Sequence, residues 1–486
     1  MYLNVAETLI KEGTWIMSKK LNVRLLLIHI IILFFLFGFK YLPPFGQMTP
    51  YGMGILGIFL GELLGWLTIG FIFPSIAGIF ALAFSGTFDG ISQCFAISFG
   101  NDATVMILCC LFVCAFMEHM KLTDATVGFL LNLRLAKKSS LFFFFIFFFA
   151  VWLVSALSSS VLSIYLTVMI YRSISRQSGI EPYTPFNSFV LCGCAMAAMM
   201  GEISFPFKPV AVVVMNLYQT STGSQLPFET YLYTVTLYEV VLLFVYALFG
   251  KYILRLDYNI IKNVDIPSPS LDKRQKYGLL CITLMMVAFL LTGTNIEIFK
   301  YMGLGGAGLA SILVMLILQV DGEPLLDIKK MAGKFDWGTF LYMAFFVSFM
   351  PLMGSPEVGL NATASSLMAP ILSIMPSYAF LALALLLTTV LTNILNNLPV
   401  AIIFISLMGA MSSVLTGINF HAGCLCITIC AFIACATPAA NPASVIIFGC
   451  TDLIRPRVSL LIGGIACLFL CIVTLLVFYP FLNAIL

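Results

Sequence analysis

Ser155-Ala156-Leu157-Ser158-Ser159-Ser160 and Asn393-Ile394-Leu395-Asn396-Asn397-Leu398-Pro399 are two short clusters of uncharged polar residues, each inside an otherwise apolar run, with Ser158 of the first matching Asn396 of the second. Outside those clusters the chain is greasy: 61% of residues are hydrophobic and 9% charged, and the mean hydropathy is +1.08. A soluble domain of this size would lack the polar surface to cover itself. The chain is therefore read as a polytopic membrane protein. Its long apolar runs show no strand alternation, and only helices or closed barrels satisfy their backbone in lipid, so the expected fold is all-helical.

Helices are expected near 24–42, 52–67, 68–85, 102–118, 186–218, 231–254, 277–293, 303–319, 337–355, 422–450 and 457–482. The segments 140–172 and 377–412 hold the two polar clusters. Each is apolar but broken midway, as two half-length helices entering and leaving on one side would be. They are candidate re-entrant hairpins. Charge supports this choice: with the N-terminus inside, the pieces 1–24, 119–139, 172–185, 251–276, 320–336 and 451–457 face the cytoplasm and hold 21 of the 24 Lys and Arg residues, as the positive-inside rule asks. The exceptions are Lys40, Lys208 and Lys300. The C-terminus then lies outside, and the plasma membrane is the expected location.

In this topology the first hairpin opens to the cytoplasm and the second to the outside, as an inverted repeat requires. The interval from Ser158 to Asn396 also separates Leu122 from Leu360, and a nearly equal one separates Pro209 from Pro442. The expected organisation is a tail, 1–23, an extra first helix and connector, 24–51, a first repeat, 52–254, a basic linker, 255–276, and a second repeat, 277–486. The run Leu25 to Phe39 after Lys19, Lys20 and Arg24 resembles a signal peptide but lacks a small-x-small cleavage site, so it is read as an uncleaved span. Met17 is a second plausible start.

Each repeat has a second broken element. Gly201-Glu202-Ile203-Ser204-Phe205-Pro206-Phe207-Lys208-Pro209 interrupts 186–218, and Ala436-Thr437-Pro438-Ala439-Ala440-Asn441-Pro442-Ala443-Ser444 interrupts 422–450. Prolines inside an apolar run unwind it. Unwound carbonyls can hold a cation, and half-helix N-termini an anion. Proline kinks and Ser/Asn helix glue are each common alone; four such elements in two matched pairs point instead to a transport site.

Asp336-Trp337-Gly338-Thr339-Phe340-Leu341 resembles the start of the second-half scaffold helix of the divalent anion to sodium symporter family, in the ion transporter superfamily that includes citrate transporters and arsenite exporters. Asn441-Pro442-Ala443-Ser444-Val445-Ile446-Ile447-Phe448-Gly449 is similar to that family's Thr-Pro-Pro-Asn-Ala-Ile-Val-Phe-Gly strip, and Asn396-Asn397-Leu398-Pro399 resembles an arsenite-exporter tip. The resemblance implies an elevator-type carrier, a homodimer, with two Ser-Asn-Thr tips contacting sodium and substrate carboxylates. Carried over by position, the substrate contacts are Ser158, Ser159, Ser160, Lys208, Pro209, Asn396, Asn397, Thr437, Asn441, Pro442 and Ser444. The sodium contacts are Ser155, Ser158, Ser159, Gly201, Thr392, Asn396 and Asn397. This chain departs from the pattern by serines at the first tip and by Leu398 at the second.

Lys208 is the one strongly basic residue placed deep in a span, where a charge costs roughly 3 kcal/mol on insertion scales. Three readings stand: counter-ion to an anionic substrate, a fixed cation in place of sodium, or a structural pair with Glu202. Glu62 and Glu239 receive no role. The fourteen cysteines have no Cys-x-x-Cys spacing, and His29, His119 and His421 are far apart, so no disulfide framework or zinc site is implied. There is no His-Glu-x-x-His, Gly-x-Ser-x-Gly or phosphate-cradling loop. A glycine-rich channel filter is absent, and no polar segment is long enough for a nucleic-acid-binding domain. The expected function is secondary active transport of a small anion, a di- or tricarboxylate or sulfate-like species, with sodium as coupling ion and no other cofactor. The alternative is proton-coupled or sodium-independent transport or exchange, with Lys208 replacing a sodium ion.

Overall fold

The computed structural model describes residues 23–486 apart from 121, 137, 262–270, 293–295, 354, 361, 364–365, 367–369, 371–374 and 413–414. The expectations for the tail, 1–22, lie outside the described residues. The main helices are α1 (Val23–Leu33, running on to Tyr41), α2 (Pro50–Thr68), α3 (Ile72–Ala83), α4 (Ile91–Gly100), α5 (Asp102–His119), α6 (Leu122–Leu131), α7 (Ser140–Leu157), α8 (Ser160–Gln177), α9 (Pro185–Gly201), α10 (Pro209–Thr222), α11 (Phe228–Ile253), α12 (Lys273–Thr292) and α13 (Glu297–Ile317). A two-stranded ribbon, β1 (Gln319–Val320) with β2 (Glu323–Pro324), precedes α14 (Trp337–Met353), α15 (Ser377–Thr392), α16 (Asn397–Met411), α17 (Phe420–Phe432), α18 (Pro442–Phe448) and α19 (Pro456–Ile485).

Among the described residues seven helices are long and apolar enough to cross a bilayer. Their outer faces carry large exposed apolar side chains, such as Leu284 on α12, Leu313 on α13 and Leu461 on α19. In water this surface would drive aggregation; in lipid it costs nothing. The protein is an integral membrane protein with an all-helical fold.

The polar cluster in 140–172 ends α7 and starts α8. The Ser163 hydroxyl donates to Val151 O at 2.7 Å; these residues lie equally far from Leu157 on either side, so the arms run back along each other. The second cluster likewise separates α15 from α16, which also pack together. The segments 186–218 and 422–450 are each two helices, α9 with α10 and α17 with α18, because Pro209 and Pro442 stand at the first helical position of the second piece, where a missing N–H costs no hydrogen bond.

Breaks in lipid must have their carbonyls satisfied. At the first, Tyr231 of α11 donates its hydroxyl to Ile203 O at 2.5 Å, the Thr236 hydroxyl donates to Ser204 O, and the Ser204 hydroxyl donates to Gly201 O. At the second, the Asn441 amide donates to Ala434 O at 2.9 Å and the Cys467 thiol to Ile433 O at 3.3 Å.

Packing divides the helices into two groups. An outer group is formed by α1 to α5 with α12 to α14; a hairpin group is formed by α7 to α11 with α15 to α19. Helix α6 packs against α5 and α7, and α10 packs on α14, joining the groups. Within the hairpin group the packing is reciprocal: α9 lies on α7 as α17 lies on α15, and α18 lies on α8 as α10 lies on α16.

Two short helices, α4 and α6, fall where no helix was expected. Ile91–Gly100 reads as a polar connector because Ser, Gln and Gly interrupt it, yet Cys94 and Ser98 face the outer group and are buried. The cysteines are all unpaired as disulfides, and all but Cys114 are buried.

Candidate functional site at the hairpin tips

At the first tip, α7 ends at Leu157 and the Ser159 hydroxyl caps α8 by accepting from Leu162 N at 3.2 Å. Such a cap satisfies one of the donors orphaned at a helix start. The Ser155 hydroxyl donates to Ala198 O of α9 at 2.5 Å. Gly201 permits this approach, since a Cβ there would stand 2.6 Å from both Ser155 Cβ and Trp152 O.

Lys208, 3% exposed, reaches back to this tip. Its Nζ donates to Ser158 O at 2.7 Å and Ser155 O at 3.1 Å, and pairs with Glu202 Oε2 at 3.1 Å. Glu202 Oε1 accepts from Ser160 N at 2.6 Å. The ammonium thus sits at the negative end of α7 and the carboxylate at the positive end of α8, each where the helix dipole favours it. An ammonium has three donors, and three protein oxygens take them. No donor remains for a substrate oxygen. The adjoining void, lined by Lys208 with Cys110, Cys114, Leu157, Phe207 and Met285, has a volume of about 10 Å³, no more than a single water needs and too small for a substrate anion.

At the second tip, the Asn396 side chain caps α16 by accepting from Leu398 N at 3.3 Å. The Thr392 hydroxyl donates to Ala431 O of α17 at 2.6 Å, repeating the Ser155–Ala198 bond. Asn393 ties the tip to the break: Oδ1 accepts from Ala436 N at 2.8 Å, and its backbone O accepts the Thr437 hydroxyl. Asn441 caps α18, accepting from Ser444 N at 2.8 Å.

Asn397 is 1% exposed, and its amide lies 3.1 Å from Thr392 Oγ1. Thr392 Oγ1, which donates to Ala431 O at 2.6 Å, also faces Asn397 Oδ1 at 3.1 Å, and Asn397 Nδ2 meets no protein partner. Ser444 Oγ, fully buried, is also unpartnered.

The interval between the caps Ser159 and Asn396 equals that between the hydroxyls of Ser155 and Thr392, and it is one position shorter than the interval from Ser158 to Asn396. Ser160, the first helical residue of α8, thus corresponds to Asn397, the first of α16. The polar clusters mislead by one position because the capping side chain, and not the centre of the cluster, marks the start of the second arm. The broken helices keep the Pro209-to-Pro442 interval, which also carries Ala198 onto Ala431.

The structure thus gathers Ser155, Ser158, Ser159, Ser160, Gly201 and Lys208 at one tip, with Pro209 opening α10. It gathers Thr392, Asn396, Asn397, Thr437, Asn441, Pro442 and Ser444 around the other. Glu202 and Asn393 complete the tips but were absent from the sequence-based site; both lie within the quoted motifs. Glu239 is held by Trp152 Nε1 at 2.8 Å, and Glu62 is buried against Gly78 in the outer group; neither lies at a tip.

A cleft of about 500 Å³ opens between the groups, lined by Asp102 and Met106 of α5, Pro206 of the first break, Asn216 and Gln219 of α10, and Glu229. A neighbouring cavity of about 450 Å³ shares Asn216 and Gln219 and adds Asn101, Thr220 and Ser355. The Asn216/Gln219 pair has helical i, i+3 spacing and follows the apolar start of α10, a polar stripe readable from sequence.

Two hairpins, each stitched to a broken helix inside an all-helical membrane protein, are the parts of a membrane carrier. The family model described as "Citrate transporter" (CitMHS) matches residues 55–422, most of the chain, and the chain belongs to that family, in agreement with the superfamily resemblance read from its sequence. Among solved structures it is similar to the YdaH transporter of Alcanivorax borkumensis, whose crystal structure is described as revealing an unusual topology: TM-score 0.55, 13% identity, covering 81% of this chain and 88% of that one. At that identity the likeness concerns the fold. No curated protein sequence matches the chain. It is a carrier and not an enzyme.

Proposed function

We propose that the chain is a secondary active transporter of a small anion of the di- or tricarboxylate class, citrate being the substrate named by its family. The observation that carries this reading is the doubled tip. Ser155 to Ala198 and Thr392 to Ala431 make the same bond in the two halves, so two N-capped hairpin ends are fixed to two broken helices, the second around uncharged hydroxyl and amide groups and the first around hydroxyls with an internally paired lysine and glutamate. Uncharged groups bind an anion reversibly at mid-membrane depth, where a fixed unpaired charge would bind too tightly or be too costly. The halves 52–254 and 277–486 form an inverted repeat, and the hairpin group moves against the outer group to alternate access, in an elevator manner. The positive-inside pattern supports a plasma-membrane carrier with its N-terminus inside; a homodimer would supply a fixed outer scaffold.

Sodium fits the second tip as a coupling ion, since the buried Asn397 Oδ1 and Thr392 Oγ1, 3.1 Å apart, are the neutral oxygens a hard cation takes. The first tip favours the sodium-independent alternative, because its carbonyls are already occupied by Lys208.

A thermal-shift panel of citrate, succinate, sulfate and a neutral sugar, in sodium or choline chloride, tests the substrate class. Stabilisation by a multivalent carboxylate is expected; a shift with the sugar and with no anion would refute it.

A further inference from the structure

A cation held between a hairpin tip and a broken helix needs oxygens at the end of the first arm. At the first tip those oxygens are Ser155 O and Ser158 O, with Glu202 Oε2 as a third, and all three lie within 3.1 Å of Lys208 Nζ. The ammonium thus fills the space that a free ion would occupy. The ammonium is buried and has an oxygen partner for each of its three donors.

The second tip is built differently. The interval from Pro209 to Pro442 carries Lys208 onto Asn441, whose amide is spent on its own break, accepting from Ser444 N and donating to Ala434 O. Asn441 brings no charge to this tip, where the neutral Asn397 Oδ1 and Thr392 Oγ1 lie 3.1 Å apart.

We infer that the Lys208 ammonium is a built-in cation at the first tip, so that the transport cycle takes its exchangeable cation at the second tip alone. This rests on the anion-carrier reading above. It distinguishes the chain from a carrier that loads an ion at each tip: part of the coupling has become covalent, travels with the hairpin group in both directions, and drops out of the stoichiometry.

Removing the side chain opens a pocket of two carbonyls and one carboxylate, matched to a small monovalent cation. Purified full-length Lys208→Ala is therefore expected to melt below the native protein in choline chloride and to recover in ammonium or sodium chloride, in a dose-dependent manner that the native protein lacks. In K208A/E202Q the pocket is neutral and the recovery is lost. In liposomes loaded with citrate, the sodium dependence of uptake is expected to have a Hill coefficient of about 1 for the native protein and to approach about 2 for K208A. Should K208A fail to fold, Lys208→Gln keeps one donor toward Ser158 O and reads the same cation response.

If K208A or K208Q responds to ammonium and sodium no more than the native protein does, the inference is overturned. A native Hill coefficient near 2 overturns it as well. A native protein that moves no anion at all refutes the carrier reading instead, and the melting experiment still reports on the first tip.

Discussion

Glu202 and Lys208 share one job at the first tip, and their chemistry predicts unequal costs of losing either alone or both together. Glu202→Gln strands a buried ammonium and removes the negative charge from the start of α8; breaking a buried pair from one side costs about 3–5 kcal/mol. Replacing both, as in Glu202→Gln with Lys208→Met, removes the charges together and is expected to recover most of that loss in a thermal melt. At the second tip, Asn393→Ala leaves Ala436 N without its acceptor inside the membrane, a loss of about 1–3 kcal/mol. Transport is expected to fall while the variant still folds, measured by uptake per folded molecule. Lys208 was conspicuous in the sequence as a charge in lipid, and its pairing with Glu202 was among the readings open there. The sequence could not show that Glu202 also caps α8, since that contact joins residues on different helices. Nor could spacing reveal that Ser160, not Ser159, corresponds to Asn397; the capping residue sets that register.

At the scale of elements, close approach decides what the breaks tolerate. A Cβ on Gly463 would stand 2.8 Å from Ala436 Cα and 3.0 Å from Cys435 O, so α19 lies directly on the backbone of the second break. Gly463→Val is expected to abolish folded expression, whereas Gly464→Val, with open space at its Cβ, is expected to express normally; fluorescence-detected gel filtration compares them. Beyond the hairpin, Arg172 at the far end of α8 pairs with Asp452 at 2.9 Å. The hydrogen bond from Arg172 holds the Asp452 carboxyl below the usual range. Its contribution is therefore present above about pH 4, the unfolded value, and fades as pH falls through the lower folded value. Because both groups are well exposed, Arg172→Gln is expected to cost under about 1 kcal/mol and to flatten that acid limb of the melting curve. The hairpins and breaks were legible because polar clusters and prolines interrupt apolar runs. Helices α4 and α6 were not, because their burial comes from packing, of α4 on the outer group and of α6 on α5 and α7, rather than from any apolar period.

For the whole molecule, the division into two helix groups with a polar cleft between them carries the functional reading. The cleft touches Pro206, close to Lys208 in sequence, and the Asn216/Gln219 stripe on α10, the helix that packs on both α14 of the outer group and α16 of the second hairpin. Motion of one group past the other would therefore carry the tips across this polar seam. The Asn216/Gln219 stripe was readable in the sequence, but the seam as a whole was not, since its walls come from α5, the first break, α10 and α11. Counterflow into liposomes containing only the purified protein tests the carrier account most directly: labelled citrate outside, unlabelled citrate inside, with sodium on both sides. The account predicts saturable accumulation of label above equilibrium followed by decay, and loss of that overshoot in Asn397→Ala. Label that only equilibrates, at a rate linear in outside concentration, would contradict it.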